Sequence, residues 1–367
     1  MKYLKIALMV GVISLPGLTS CSNKQDTPAA LSVEIQYQDN TIPITGIEET
    51  VEAVYDSVVA IDSYTDSSLV GSGSGVLFAY DEANDLSFIV TCHHVIEGCN
   101  SFVVTLSDQT ELDATLVGGD PATDLAVLSV QETDLTYAAL AKDTNNLRLG
   151  QQVICIGNPL GILPGSVSSG IISYLDRSVV TEDYRTMTLI QTDVAINSGN
   201  SGGGLFQLDG SLIGIVNAKF ASSGVEGLGF AIPMDTALKI IEELLQSAQY
   251  HPETQQWETG SIEGRWNLEG TFQAYNSFKN ETVLLVTELA SNPTASDYNC
   301  FALYDQIAAV SIRSDSHYQA ISSPEEFYTI LYQSDLKIGD TIYLEVYNIY
   351  GNLRTVSFDL IQYRYTV

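Results

Sequence analysis

Basic side chains are scarce in this sequence: 15 lysines and arginines face 45 aspartates and glutamates among 367 residues, for a formal net charge of −30 and a pI near 4.1. Such a surface repels phosphate backbones and anionic bilayers, which excludes electrostatic binding of nucleic acid and leaves solvation as the plain role of the acids. Cysteine is scarce as well. Past position 21 only Cys92, Cys99, Cys155 and Cys300 occur, none in a C-x-x-C pair, so neither a disulfide framework nor a cysteine zinc site is encoded. No later stretch is long and apolar enough to cross a bilayer. Alternating strand and helix patterns are missing too, which argues against a parallel α/β sheet. Histidine is limited to His93, His94, His251 and His317, so few places can supply a base near neutral pH.

The first residues have a different character. Lys2 and Lys5 precede the interrupted apolar run "IALMVGVISLPGL", the pattern of an export signal and too short and broken for a membrane span. The run ends in "LTSC" (18–21), which resembles the bacterial lipoprotein signal, with its cysteine directly after a small residue. That resemblance implies a signal peptide over 1–20, a lipidated Cys21 as the mature N-terminus, and membrane attachment through acyl chains worth ~0.8 kcal/mol per buried methylene. An ordinary secretory signal cleaved nearby is the competing reading; either one exports the chain. Residues 21–45, polar and mixed with Pro28 and Pro43, read as a tether.

From Val58 onward short β-rich runs follow one another: "SVVAI" (57–61), "GVLFAY" (75–80), "SFIVTC" (87–92), "SFVVTL" (101–106), "LAVLSV" (125–130), "QVICIG" (152–157), "GIISYL" (170–175), "MTLIQT" (187–192), "SLIGIVNA" (211–218) and "GFAI" (229–232). Gly, Asp, Asn and Pro punctuate them, as in a β-barrel or sandwich. "PMDTALKIIEELLQSA" (233–248) predicts a helix, with Pro233 near its start and Leu238, Ile241 and Leu245 at helical spacing. The polar stretch 249–263 reads as a linker. Beyond it, "TVLLVTEL" (282–289), a helix-like "SPEEFYTILYQ" (323–333), "TIYLEVYNI" (341–349) and "TVSFDLIQY" (355–363) predict a small α+β domain. Ser323 and Glu326 have capping-box spacing.

The segment "AINSGNSGGGL" (195–205) sets Ser201 among glycines, directly after Asn200. A serine hydroxyl attacks only when a base takes its proton, and a histidine base works best with a carboxylate to orient it. Acyl transfer also needs N–H donors aimed at the developing oxyanion; Gly199 permits a turn that faces its own N–H and that of Ser201 toward one point. A phosphate loop is the rival reading, but a strand follows instead of a helix and no lysine follows the glycines. "TCHHVIEG" (91–98) falls where a strand ends, a suitable place for a base. The doubled histidine beside Cys92 hints at metal, yet the scattered acids complete no recognisable ligand set.

"TCHHVIEG", "GGDPATDLAVLSV", "GQQVICIGNPLG", "QTDVAINSGNSGGGLF" and "GLGFAIP" together resemble, in order and spacing, the HtrA/Deg family of trypsin-like serine proteases, from about Ile47 to the helix near 248. The resemblance implies a mainly β fold, a chymotrypsin-like double β-barrel over 46–248. It makes His94 the base, not His93, where the family does not usually carry histidine. It makes Asp124, rather than Asp120, the orienting carboxylate and Ser201 the nucleophile. Gly199 and Ser201 would supply the oxyanion hole with Asn200 between them, and neither metal nor organic cofactor is required. Ile196, Ala218 and Lys219 lie where the specificity pocket would be, suggesting small or medium apolar side chains with the lysine stem packed and its head in water.

Residues 264–367 resemble the PDZ domain that follows the protease in this family, although the loop "GRWNLEGTF" (264–272) carries Glu269, whose charge would repel a captured carboxylate. The family implies an endopeptidase of the cell envelope or exterior acting on unfolded or damaged proteins, assembled as a homotrimer. The rival from another class is a non-catalytic, peptide-binding chaperone on the same scaffold. Export leaves two states open for Cys92 and Cys99, a bridge or two buried thiols.

Overall fold

The computed structural model describes residues 4–10, 28–37, 46–141, 144–158, 165–181, 186–220, 227–262, 266–267, 270–276, 282–289, 304–312, 317–321, 323–334 and 336–362. Cys21, Glu269 and Cys300 lie outside the described residues. The chain divides into two compact units, one built mainly from residues up to Ile262 and the other mainly from Glu263–Tyr363, with Val180, Thr181 and Thr186 grouped with the second.

The first unit holds two closed antiparallel barrels of six strands each. Barrel one comprises β1 (Val58–Thr65), β2 (Ser68–Asp81), β3 (Leu86–Cys92), β4 (Ser101–Thr105), β5 (Glu111–Asp120) and β6 (Leu125–Val130). Its pairings run β1–β2–β3–β6–β5–β4 and return to β1. Asp66 and Ser67 join β1 to β2 with φ of 47° and 67°, the left-handed pair that matches the twist of a tight hairpin. The runs "LSFIVTC" and "LAVLSV" are buried at every residue, which explains why β3 and β6 lack a polar-apolar alternation.

Barrel two comprises β7 (Gln152–Gly157), β8 (Ser166–Val180), β9 (Thr186–Thr192), β10 (Gly204–Gln207), β11 (Ser211–Val216) and β12 (Gly229–Pro233). The order is β10–β7–β8–β9–β12–β11, closed by β10 against β11. Closure removes the open edges that an antiparallel sheet would otherwise present.

Among the described residues three α-helices accompany the barrels: α1 (Ile47–Val54), the single turn α2 (His93–Ile96) and α3 (Met234–Ser247). α3 follows Pro233 as its sequence predicts and buries Met234, Ala237, Ile240, Ile241, Leu244 and Leu245 at helical spacing. At ~1.5–3 kcal/mol for each large aliphatic side chain removed from water, that face accounts for the position of α3.

Two stretches that read as connectors are packed structure. Within the presumed tether, Leu31–Tyr37 is a strand whose Leu31, Val33 and Ile35 are buried. It pairs with β2 at Glu34 and Ile35 and with Ala139–Leu140, which continues to β11, so it links the two barrels. Leu4–Val10, inside the presumed export signal, pairs antiparallel with the same strand. The presumed linker forms a hairpin, Gln249–His251 with Gln256–Glu258. Tyr250 stacks on Trp257, Trp257 meets Phe88 edge-on, and its Nε1–H donates to Ser129. Two aromatics thus anchor a segment whose polar majority suggested no fold.

In the second unit β13 (Gly270–Asn276), β14 (Thr282–Leu289), β15 (Gln306–Ile312), β16 (Thr341–Tyr347) and β17 (Leu353–Asp359) form one antiparallel sheet in that order. The helix α4 (Pro324–Gln333) sets Phe327 and Leu331 into a core with Leu284, Val286, Ile342 and Leu344. Ser323 caps it, its hydroxyl accepting from the Glu326 N–H at 3.2 Å, as the spacing predicts. Asp305, buried, pairs with Arg354. Among the described residues no helix is long and apolar enough to cross a membrane.

Candidate active site

Both barrels contribute to one cluster. β3 delivers Thr91 and Cys92, and the chain then turns into α2, which carries His93 and His94. Asp124 sits at the start of β6 with φ 55°, a left-handed conformation that an aspartate tolerates and that turns its carboxylate back onto α2. The second barrel brings Ser201 on the loop before β10, and Asn217 directly after β11.

The bonds form a chain. Asp124 Oδ2 lies 2.6 Å from His94 Nδ1, and Oδ1 accepts from the His94 main-chain N–H at 2.9 Å. His94 Nε2 lies 2.8 Å from Ser201 Oγ. Burial pushes the Asp124 carboxyl up, but the bonds and charge of His94 and the bond from Asn217 outweigh it and hold the group below the usual carboxylate range. An ionised Asp124 accepts only, so His94 carries its proton on Nδ1 and leaves Nε2 to take one from Ser201. Ser201 Oγ also accepts from the Ala218 N–H at 3.1 Å, which fixes the hydroxyl from the far side.

Asn217 escaped the sequence reading. Its side chain is fully buried; Nδ2 donates to Asp124 Oδ2 at 2.7 Å, while Oδ1 accepts from the Lys219 N–H at 3.1 Å. One carboxamide therefore steadies Asp124 and starts the turn Ala218–Phe220. A polar residue ending the apolar run "SLIGIV" was the available signal, because a buried amide needs partners.

Around Ser201 the backbone is shaped by glycine. Gly199 has φ 94° and Gly202 φ 85°. At Gly202 an added Cβ would run into the Ser74 carbonyl oxygen and the Thr91 hydroxyl, so only glycine lets the loop approach β2 this closely. Among the described residues, neither the Gly199 nor the Ser201 N–H donates to a main-chain carbonyl, the state that an oxyanion hole requires of its donors. Asn200, buried between them, donates its N–H to the Asn197 carbonyl at 3.0 Å.

Of the remaining sequence candidates, Ala218 touches the chemistry through its N–H bond to Ser201 Oγ. Ile196 is half-buried and packs where a Cβ on Gly229 would sit. Ala218 is half-buried and Lys219 exposed; the segment 221–226 that follows lies outside the described residues. His93 is buried, and its main-chain N–H donates to the Asp124 carbonyl at 3.0 Å. Burial lowers its imidazole below the ordinary histidine range, against the pull of Glu97, Asp124 and Asp120. Asp120 serves its own turn, accepting from the Thr123 hydroxyl at 2.7 Å. His251 contacts Glu258 within the hairpin, and His317 is exposed on the second unit.

Cys92, Cys99 and Cys155 are free, buried thiols. Cys92, His94 and Asp124 form the one cluster of metal-ligating type among the described residues, their donor atoms within 4.8 Å of one another. Burial and the Asp124 charge push the Cys92 thiol well above its usual range, its Sγ–H donates to the Val216 carbonyl at 3.3 Å, and His94 and Asp124 are bonded to each other.

Residues 73–215 match the family described as a trypsin-like peptidase domain. The chain is 38% identical over 283 residues to the serine protease Do-like HtrA of Bacillus subtilis, covering 75% of this chain and 60% of that protein. It is 43% identical over 178 residues to a probable periplasmic serine endoprotease DegP-like of Pseudomonas fulva, covering 48% of this chain and 35% of that one. The chain thus spans less than two thirds of the length of these relatives. Among solved structures, the serine endoprotease from Yersinia pestis superposes with a TM-score of 0.50 at 26% identity, covering 88% of this chain and 99% of that one.

Proposed function

With a trypsin-like peptidase domain, and HtrA/DegP serine proteases as its homologues, the chain is, we propose, a serine endopeptidase that cleaves unfolded or damaged proteins in the cell envelope or outside the cell. The observation that carries the reading is the unbroken bond chain Asp124–His94–Ser201, at 2.6 and 2.8 Å, across the seam of two barrels.

The chemistry follows from the geometry. Ser201 Oγ attacks the scissile carbonyl as His94 Nε2 takes its proton, and the imidazolium so formed is stabilised by ionised Asp124. The Gly199 and Ser201 N–H groups receive the negative charge that develops on the carbonyl oxygen. His94 returns the proton to the leaving amine, and a water repeats the sequence on the acyl-enzyme. Ile196 and Ala218 favour a small or medium apolar side chain before the cut.

Cys21 is read as the lipidated N-terminus holding the enzyme at a membrane, residues 264–367 as a PDZ-like domain, and the assembly as a homotrimer. Incubating the full-length chain with casein, beside its Ser201→Ala counterpart, tests the core of this reading. Cleavage by the first and not by the second is expected. Binding of casein without cleavage by either, even with added activating peptides, would favour the peptide-binding chaperone instead.

A further inference from the structure

We propose that Ser74, on the first barrel, is a positioning residue for the oxyanion loop of the second, a role that rests on the peptidase reading above. Ser74 is fully buried on β2, and its hydroxyl and main-chain N–H both reach across the seam between the barrels. Its Oγ donates to the Gly199 carbonyl at 2.8 Å and accepts from the Asn158 N–H at 2.7 Å. Its main-chain N–H donates to the Ser201 carbonyl at 2.8 Å, and its own carbonyl accepts from the Thr91 hydroxyl at 2.7 Å. One residue of the first barrel thus grips the carbonyls on both sides of Asn200.

The direction of the Ser74 hydroxyl is determined. Asn158 can only donate to it, so the hydroxyl hydrogen is free to point at the Gly199 carbonyl. Past Asn200 the second barrel holds the loop firmly, the Gly202 N–H donating to the Val216 carbonyl and the Gly203 N–H to the Asn200 carbonyl, both at 2.9 Å; among the described residues its hold on the stretch before them is weaker. The Asn200 N–H reaches Asn197 at 3.0 Å, its Nδ2 reaches the Ala195 carbonyl only at 3.4 Å, and its buried Oδ1 has no donor among the described residues. Gly199, at φ 94° and without a side chain, lets the peptides beside it rotate at little steric cost. With the Ser74 bond lost, the Gly199–Asn200 peptide keeps its Asn200 N–H bond to Asn197 but loses the anchor of its carbonyl, and rotation about the Gly199 Cα then lets the preceding peptide, which carries the Gly199 N–H, move out of line. The oxyanion would then meet fewer donors, whereas binding of the intact substrate, which develops no such charge, would barely change.

The test uses the full-length chain as wild type, Ser74→Ala, Ser74→Cys and Ser201→Ala. Four quantities are read: kcat and KM on a cleavable peptide, the affinity of the matching peptide boronic acid, the affinity of the same peptide as a free acid, and the melting temperature. The boronate forms a tetrahedral adduct on Ser201 whose oxygen takes the oxyanion place; the free acid does not. For Ser74→Ala, kcat is expected to fall about tenfold to a hundredfold, less than the ~10²–10³ lost when a hole donor is itself removed. Boronate affinity should fall in parallel, with KM and free-acid affinity near wild type. Ser74→Cys, which fills the site with a poor donor, should behave alike and is read in place of the alanine if that variant does not fold. Unchanged kcat, or a loss of kcat with boronate affinity intact, overturns the role of Ser74 alone. Absence of Ser201-dependent cleavage in the wild type overturns the peptidase reading itself.

Discussion

Replacing Asp124 by asparagine keeps the shape of the side chain and removes its charge, so it isolates what the carboxylate does for His94. The two oxygens accept from three donors: the His94 main-chain N–H, His94 Nδ1–H and Asn217 Nδ2. An asparagine has one acceptor oxygen. With its amide nitrogen in the Oδ1 place it meets a main-chain N–H that cannot move. With the nitrogen in the Oδ2 place it faces Asn217 and forces the His94 proton onto Nε2, where the ring can no longer accept from Ser201. Either arrangement leaves a buried donor unpaired, at ~1–3 kcal/mol. The imidazolium formed during attack also loses its counter-charge. Two unit charges ~4 Å apart attract by ~4 kcal/mol at an effective dielectric of ~20, which is ~10³ in rate. With the tautomer loss added, kcat should fall by ~10³–10⁴ with KM little changed. Steady-state kinetics on a quenched fluorescent peptide measure this, with Asp120→Asn as the control. Asp120 bonds Thr123 and Ala122 within its own turn, so its loss should register in stability and leave kcat within about threefold. A drop below about tenfold for Asp124→Asn, or a larger drop for Asp120→Asn, would refute the assignment of the orienting carboxylate.

Two further outcomes follow from backbone and burial. Gly202→Ala forces a Cβ into the Ser74 carbonyl and a non-glycine residue to φ 85°, with backbone on the opposing side that cannot yield; activity should vanish and the melting temperature drop, and a variant with wild-type kinetics would contradict the described loop. His93, neutralised by burial, takes up its proton at higher pH in the unfolded chain than in the native one. Between the two the unfolded state binds more protons, so native stability declines as pH falls from ~7 toward ~5, through the ordinary histidine range. His93→Gln should flatten that part of the urea-midpoint profile, and an unchanged slope would show that His93 does not supply it.

Much of this architecture was legible in one dimension, and the exceptions share a cause. The β-rich runs became the barrel strands because alternating or continuous apolar runs bounded by turn residues have few other ways to bury themselves. Leu31–Tyr37 was obscured by polar neighbours and nearby prolines, although Leu31, Val33 and Ile35 carry the two-residue period of a half-buried strand. His94, Asp124 and Ser201 stood out because each sits in a short motif, and the fold brings all three together. Ser74 and Asn217 did not, since the groups they hold lie 125 and 93 residues away. Strand periodicity says which face of a residue turns inward. It does not say what the other barrel presents there. At the seam, the Ser74 N–H meets Ser201 and the Cys92 thiol meets the Val216 carbonyl. Each bond joins segments that no local rule connects. A buried polar residue at the end of an apolar strand therefore announces in sequence that a partner exists, because leaving it unpaired costs ~1–3 kcal/mol. Its identity emerges only when the second barrel closes against the first.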